Sequence, residues 1–290
     1  MKKLFCLLTV CLMMFSMVAC DDAAPETTEA PEATAPDGVI AVSTVEELMQ
    51  AFSRLNTNDV IYLMNDMDMT GKTLSVANVR SFSLNGNGHT ISNYHIADQS
   101  GLIVDNGGDR TYTIENLILE NCSVTSNDDH AALFVGGARD TDTVTIRNCH
   151  AINCTVTGPK YASVFVSYTA GTNKGNEQMI TMTVEDCSAV GCTVTGGGST
   201  GIAIGHSGGN HLTENIIKNL KIENCIINGP GELYEGIVIG TAGTGITEIS
   251  GITVSNVTTA HNQSEGLRRY YGRNLTTLII EGQKQELTQS

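Results

Sequence analysis

The stretch Asn148-Cys149-His150-Ala151-Ile152-Asn153-Cys154-Thr155-Val156-Thr157 decides the fold, because versions of it recur along the chain. Aligning the copies gives two mostly apolar columns, five residues apart in every copy: Leu117, Cys149, Cys187, Leu220 and Ile252, and Cys122, Cys154, Cys192, Cys225 and Val257. Successive copies are 32, 38, 33 and 32 residues apart. Fixed columns with variable spacing are typical of a solenoid, in which stacked strands match and the intervening loops vary in length.

Other positions repeat in step with these columns and predict three short strands per coil. One apolar column lies three residues before the first: Ile114, Ile146, Val184, Ile217 and Ile249. A third strand is predicted at 102–104, 133–135, 164–166, 202–204 and 237–239, always after a small residue (Gly101, Ala132, Ser163, Gly201, Gly236). Apolar strands of this kind suit a parallel sheet that is buried on its inner face, with coils about 4.8 Å apart. The predicted fold class is all-β, a single parallel β-helix over residues 39–281.

Polar residues form columns beside the apolar ones: Asn116, Asn148, Asp186 and Asn219, and Asn121, Asn153, Asn224 and Asn256. Asparagine tolerates the left-handed backbone conformation and can hydrogen-bond to its equivalent one coil away. We therefore interpret these residues as the bends between strands.

A helix is predicted before the first coil. Ser43 and Glu46 fit a capping box, and Val45, Leu48, Met49 and Phe52 then recur at helical spacing. We expect one amphipathic helix over 44–54 that covers the apolar end of the solenoid. Strand-like runs follow at 60–63 and 81–84.

The N-terminus has the pattern of a secretory signal. Lys2 and Lys3 precede an apolar run over 4–19, which is too short for a spanning helix. Met17-Val18-Ala19-Cys20 resembles a bacterial lipobox. The resemblance implies a signal peptide over 1–19, a lipid on Cys20 and an anchor to the extracytoplasmic face of the cell membrane. The alternative is ordinary cleavage, with Cys20 an incidental thiol.

The segment 21–37 consists only of Asp, Glu, Ala, Pro and Thr. It has nothing apolar to bury, so we predict a disordered acidic linker over 20–38 that holds the folded body away from the membrane. Removing the signal peptide would change the formal net charge from −15 to −17. This charge argues against nucleic acid as a partner, because phosphate binding needs a basic surface.

The cysteines in the two columns allow two interpretations. Neighbours in a stack are close enough for disulfides or a metal ladder. However, they occupy positions that other copies fill with Leu, Ile or Val, and their spacing is that of the coil. We therefore predict small buried thiols, with no metal and no cofactor.

One edge of the predicted β-helix concentrates polar residues in short turns. The predicted ligand-binding residues on this edge are Asp128, Asp129, Lys160, Tyr161, Tyr234 and Glu235. Such an edge could bind a sugar on the tyrosine faces, or Ca²⁺ through oxygen ligands. It could also be a solvated acidic turn. We favour this edge over the long loops at 168–181 and 206–215, because short turns hold side chains at fixed positions.

The repeated pattern resembles the right-handed parallel β-helices of the pectin-lyase-like superfamily. Segments such as Ala132-Leu133-Phe134-Val135-Gly136 are similar to the GLUG-type repeats of bacterial surface proteins. The resemblance implies a right-handed helix and a surface module that binds glycans or partner proteins, as adhesins do. Leu267 to Arg273 would then cover the last coil, before a polar tail over 282–290.

The same superfamily also contains polysaccharide lyases and glycoside hydrolases, which gives an alternative function. Asp128, Asp129 and His206 would be the residues concerned, although Gly205-His206-Ser207 lacks the second glycine of the polygalacturonase-like motif. General acid–base catalysis needs two or more poised groups within reach, and no complete set assembles in the sequence. We therefore predict no catalytic residue.

Overall fold

The computed structural model describes residues 34–74, 81–104, 109–139, 142–170, 179–208, 213–231, 234–243, 245–261, 271–273 and 277–285. The chain divides into a unit Met1–Thr34 and a unit Ala35–Ser290. The predicted signal peptide, Cys20 and residues 21–33 of the predicted linker lie outside the described residues, as do Arg268, Arg269 and Tyr270. No helix among the described residues has the length and apolarity needed to cross a membrane.

The unit Ala35–Ser290 is a parallel β-helix, and its described residues include one α-helix, Val45–Ser53, near the start. A complete coil passes through five short strands, and stacking the coils makes five sheets, numbered here in the order in which a coil meets them. Sheet 1 contains Ile40–Val42, Asp59–Leu63, Phe82–Asn85, Thr111–Glu115, Thr143–Arg147, Ile180–Glu185, Thr213–Lys218, Gly245–Ser250, Thr277–Ile280 and Gln283–Lys284. Its pairings are parallel except the last, between Thr277–Ile280 and Gln283–Lys284.

The other four sheets follow around the coil. Sheet 2 contains Met67–Asp68, Thr90–Ser92, Ile118–Glu120, His150–Ile152, Ser188–Val190, Lys221–Glu223 and Thr253–Ser255. Sheet 3 contains His95–Ala97, Ser123–Thr125, Thr155–Gly158, Thr193–Gly196, Ile226–Asn228 and Thr258–Thr259. Sheet 4 contains His130–Ala132, Tyr161–Ser163 and Ser199–Gly201. Sheet 5 contains Ala138–Arg139, Val166–Ala170, Ile204–Ser207, Ile239–Ala242 and Tyr271–Arg273.

The apolar columns of the sequence are the interior of the β-helix, as predicted. Ile146 pairs with Ile114 on one side and Val184 on the other, and all three are fully buried. The six cysteines of the two columns are buried free thiols: Cys122, Cys149, Cys154, Cys187, Cys192 and Cys225. Each fully buried Val, Ile or Leu side chain contributes roughly 1.5–3 kcal/mol, so the stacked columns supply most of the stability.

The polar columns are bends, also as predicted. Asn116, Asn148 and Asn219 have φ of 54°, 48° and 51°, in the left-handed region that asparagine tolerates better than most residues. Their side chains hydrogen-bond between coils, for example from Asn148 Nδ2 to Asn116 Oδ1 at 2.8 Å and from Asn219 Nδ2 to Asp186 Oδ1 at 2.8 Å. They form two-residue corners between sheets 1 and 2 that have the same length in each of these coils.

The predicted helix is confirmed, but its cap lies one residue later than predicted. Thr44 is the N-cap, and its Oγ1 accepts a hydrogen bond from the backbone N–H of Glu47 at 3.2 Å. The Glu47 carboxylate accepts from the N–H groups of Ser43 and Thr44 in return. The sequence contains two pairs with the spacing of a capping box, Ser43 with Glu46 and Thr44 with Glu47. Only the backbone geometry shows which pair forms the cap.

The prediction of three strands per coil is wrong, because a complete coil has five. Most of the predicted third strand is a bend between sheets 4 and 5, and its last residue, for example Val166, begins the strand of sheet 5. Leu133, Phe134 and Val135 are consecutive and all fully buried, which a strand with one solvent-facing side does not allow. The coils still bond to one another here, from Leu133 N to Val164 O and from Val135 N to Phe165 O, both at 3.0 Å. This apolar segment therefore turns the chain inward between the strand of sheet 4 and the strand of sheet 5.

Candidate functional site

The corner between sheets 4 and 5 brings two strands of the same coil close together. Ser167 Oγ donates to the carbonyl of Tyr161 at 2.7 Å and accepts from the N–H of Ala131 at 2.9 Å, which ties the two walls and the preceding coil together. One coil on, Ser199 Oγ donates to the carbonyl of Gly205 at 2.6 Å. The approach is close enough to require glycine, since a Cβ on Gly205 would lie 2.7 Å from the carbonyl oxygen of Ser167.

Four aromatic rings stack along this corner, alternately from the two sheets. His130 and Tyr161 belong to sheet 4, and Tyr168 and His206 belong to sheet 5. Ring centroids are 4.4 Å apart for His130 and Tyr168, 5.1 Å for Tyr168 and Tyr161, and 4.5 Å for Tyr161 and His206. The interplanar angles are 20°, 10° and 26°. We call this set the ring stack; all four side chains are half-buried.

The rings contact one another closely. Tyr161 contacts both Tyr168 and His206, and the Tyr168 and His206 centroids lie 5.5 Å apart, so these three rings form a compact cluster. Burial lowers the pKa of His206 below the usual 6.5, which favours the neutral ring at neutral pH.

An ion pair lies beside the ring stack. Lys160 Nζ is 2.5 Å from Asp129 Oδ2, and both side chains are about half exposed. The hydrogen bond that Lys160 donates to Asp129, together with the charge of that carboxylate, raises the pKa of Lys160, so the lysine stays protonated. Asp129 and Lys160 thus lie on adjacent coils of the same edge, as predicted from the sequence, and together they present both signs of charge to solvent.

Tyr234 and Glu235 lie further along the same wall, in different environments. Glu235 pairs with Thr200, which places Tyr234 beside Ser199, two coils or about 10 Å from Tyr161. Tyr234 is 36% exposed. Glu235 is fully buried, accepts a hydrogen bond from the N–H of Gly229 at 2.9 Å and lies 2.9 Å from His261 Nδ1. Glu235 is therefore inside the coil and not on the exposed edge where the sequence placed it.

The acidic turn borders a shallow cleft that also includes His130. Asp128 and Asp129 line it with Ser100, Val104, Asn127, His130 and Arg139, and its volume is ≈ 380 Å³. Acidic, amide and basic residues thus line one opening, which shares His130 with the ring stack. In the ranges that the structure describes, no group of three or more His, Cys, Asp or Glu side chains is arranged to hold a metal ion.

The residues of the alternative catalytic hypothesis are separated. Asp128 and Asp129 precede His130 directly, and His206 lies on the coil of Ser199, two coils or about 10 Å further along the wall. Burial lowers the pKa of His206, which favours its neutral form, and Asp129 is paired with Lys160.

The sequence interpretation missed Tyr168 and His206 as partners of Tyr161, because it assigned both to long loops. They are strand residues of sheet 5, and they pair with each other in register. The sequence did contain an indication of this contact. Tyr161 and Tyr168 lie on either side of the apolar segment Val164-Phe165-Val166, so a bend at that segment brings the two tyrosines together. Of the two long loops, residues 171–178 and 209–212 lie outside the described residues.

Comparison with known proteins identifies a family. The family model described as "Putative pectate lyase-like adhesive domain" matches residues 39–265. No curated protein sequence matches the chain. Solved structures similar to this chain include a "putative immunoglobulin A1 protease" from Bacteroides ovatus, with 14% identity, TM-score 0.41, and coverage of 86% of this chain and 79% of that one. Another is the pectin methylesterase from Aspergillus niger, with 13% identity, TM-score 0.29, and coverage of 84% and 92%.

Proposed function

The chain belongs to the family of pectate lyase-like adhesive domains, and we propose that this adhesin-like β-helix module binds glycans at the cell surface. In this proposal a lipid on Cys20 anchors the protein to the extracytoplasmic face of the membrane, and the acidic segment 21–37 holds the β-helix away from it. Adhesion then requires a surface that is exposed, rigid and rich in hydrogen-bonding groups.

The ring stack is the observation that carries the proposal. Strands on two walls fix each ring, so the polar edges of Tyr161 and His206 and the ion pair of Asp129 with Lys160 are ordered before a ligand arrives. Ordered groups lose little conformational entropy on binding, which favours affinity from a small contact area. Ring edges and hydroxyls suit the hydroxyl groups of a sugar, which both donate and accept hydrogen bonds.

A glycan array with the full-length lipoprotein in detergent tests this proposal. Tyr161→Phe removes one hydroxyl but keeps the ring stack, and Lys160→Gln removes the ion pair; each should weaken binding to the recognised glycan by about tenfold. Tyr62→Phe is the matched control, because the Tyr62 hydroxyl donates to Asn87 Oδ1 at 2.7 Å on sheet 1 and should leave binding unchanged.

Three outcomes would contradict the proposal. A blank array would refute glycan binding. Adhesion to target cells that survives glycosidase treatment but not protease treatment would assign a protein partner instead. Formation of new reducing ends or unsaturated products from a bound polysaccharide, with loss of turnover in Asp129→Asn, would establish the alternative enzyme.

A further inference from the structure

We propose that the ring stack makes glycan binding sensitive to pH: protonation of His130 and His206 in mild acid opens the stack and releases the glycan. This inference rests on the proposed function, because it concerns the regulation of the same site. Histidine is the side chain whose ordinary titration falls between roughly pH 5 and pH 8, so two histidines in one binding surface can act as a switch.

Both histidines contribute contacts that join the two sheets of the site. The ring of His130, on sheet 4, lies 4.4 Å from that of Tyr168, on sheet 5, and the ring of His206, on sheet 5, lies 4.5 Å from that of Tyr161, on sheet 4. Among the four rings, loss of these two contacts leaves Tyr161 with Tyr168 as the one pair that spans the two sheets.

Burial opposes a positive charge on His206. Desolvation is the main cause that lowers the pKa of His206, and the charge of His130 lowers it further, while a backbone hydrogen bond with Gly208 acts in the opposite direction. Aromatic faces attract cations, but the pKa is lowered nevertheless, so burial outweighs stacking here. The two histidines lie two coils or about 10 Å apart, roughly one Debye length at physiological salt, so a charge on one still acts on the other.

The charged residues on the His130 side of the stack are matched in sign. Asp129, which precedes His130, is paired with Lys160. Asp128 and Arg139 carry opposite charges and line the opening that includes His130. Negative charge that could stabilise an imidazolium is therefore offset by positive charge nearby.

The His206 side of the stack adds no negative charge. His206 pairs with Thr241, which is uncharged, and Thr241 pairs with Arg273 one coil further on. Tyr234, on the coil that follows Ser199, is the titratable residue of the other wall, and its ordinary form is neutral below pH 8 or so. We therefore expect protonation of His206 to be stabilised by opening of the stack and exposure to water.

Proton linkage gives the direction of the effect. In the closed stack the pKa of His206 lies below 6.5, whereas an exposed histidine keeps its ordinary value of about 6.5. As pH falls through 6.5 the open form binds more protons than the closed form, so acid favours the open form until the pH lies below both values. A glycan that binds only the closed form loses affinity over the same range, by at most about tenfold per pH unit for each proton taken up.

Two measurements on the full-length lipoprotein in detergent test the inference, each made at about pH 7 and about pH 5. Near-UV circular dichroism reports on tyrosine packing, because the chain contains no tryptophan. Its tyrosine signal should decrease in acid while the far-UV signal of the β-helix is retained. Titration on the glycan array gives the affinity for the recognised glycan, which should fall by about tenfold in acid.

Phenylalanine at both histidine positions keeps four rings in the stack and removes the titrating groups. The double variant His130→Phe/His206→Phe should keep its near-UV signal in acid, and its affinity should change by less than about twofold between the two pH values. The ratio of the two affinities is compared, because the variant also lacks the polar edge of His206. His206→Phe alone should show an intermediate loss, and it decides the question if the double variant does not fold.

His150→Phe is the matched control. Burial also lowers the pKa of His150, but this residue lies on sheet 2, with its Nδ1 2.9 Å from Ser188 Oγ. The control should lose affinity in acid as the wild type does.

The inference is overturned if the near-UV signal or the affinity of the wild type is the same at both pH values. It is also overturned if His150→Phe suppresses the loss as fully as the double variant does, since the cause would then lie outside the ring stack. A glycan bound equally well at both pH values leaves the proposed function standing and removes only its regulation, whereas a blank array at neutral pH refutes both.

Discussion

The rings of Tyr161 and Tyr168 stack at 5.1 Å between centroids and 10° between planes, although the two residues belong to different sheets. They lie at the two ends of one inward bend, whose apolar centre is Val164 and Phe165, both fully buried. The same contact thus closes the corner of the coil and forms the surface that we propose binds a glycan.

The first prediction tests the ring stack as a structural element. Tyr168→Ala removes contacts to His130, Tyr161 and His206, and should lower the free energy of unfolding by about 2–3 kcal/mol. Tyr168→Phe keeps the ring and should cost less than about 1.5 kcal/mol. Urea denaturation measures both. Equal losses in the two variants would show that the hydroxyl, and not stacking, matters.

The second prediction concerns the cysteine column. Cys154→Asp places a carboxylate in the middle of the interior and should lower the free energy of unfolding by roughly 3–5 kcal/mol, because no partner compensates the buried charge. Cys154→Val is the control and should cost about 1 kcal/mol, since Val257 occupies the same column in another copy. Circular dichroism during thermal unfolding distinguishes them. A wild-type-like melting curve for Cys154→Asp would contradict the assigned interior.

The third prediction is a pH dependence. Burial lowers the pKa of His206 in the folded chain below its unfolded value near 6.5. Between the two values the unfolded chain binds more protons, so stability should fall as pH decreases through 6.5 and level off below the folded pKa. His206→Phe should reduce this loss without abolishing it, because burial lowers the pKa of His150 in the same direction. Urea denaturation from pH 7 to pH 5 measures the effect, and an unchanged pH profile in the variant would refute it.

The fourth prediction concerns the anchor. Cells grown with a labelled fatty acid should incorporate the label into the wild-type protein, and Cys20→Ala should abolish incorporation and release the chain from the membrane fraction. Cys6→Ala, within the predicted signal peptide, serves as the control and should behave like the wild type. An alanine variant at residue 20 that stays in the membrane fraction would require a different anchor.

What the sequence predicted correctly depends on contacts between coils. The Cys154 and Ile146 columns and the Asn148 bend repeat from copy to copy, because each side chain packs on its equivalent. The predicted third strand failed for a different reason. A run such as Leu133-Phe134-Val135 fits a buried strand or an inward bend equally well, because both bury consecutive apolar residues.

The candidate site was harder to predict because it also depends on a contact within one coil, between Tyr161 and Tyr168. Tyr161 and Tyr168 meet only because the bend folds back, and nothing in the repeat spacing gives the angle of that corner. Glu235 was predicted to be exposed because glutamate usually is, whereas the N–H of Gly229 and the ring of His261 stabilise it inside the coil.

The two-residue corners between sheets 1 and 2 have a consequence for how this protein can evolve. A residue inserted at Asn148-Cys149 would turn every following side chain of that strand to the opposite face, so we expect few insertions or deletions there. From sheet 5 to sheet 1 the strands are separated by different numbers of residues: Arg139 to Thr143, Ala170 to Ile180, Ser207 to Thr213 and Ala242 to Gly245. Length variation between related chains should therefore be largest at this corner, and a peptide tag inserted there should leave the other sheets in register.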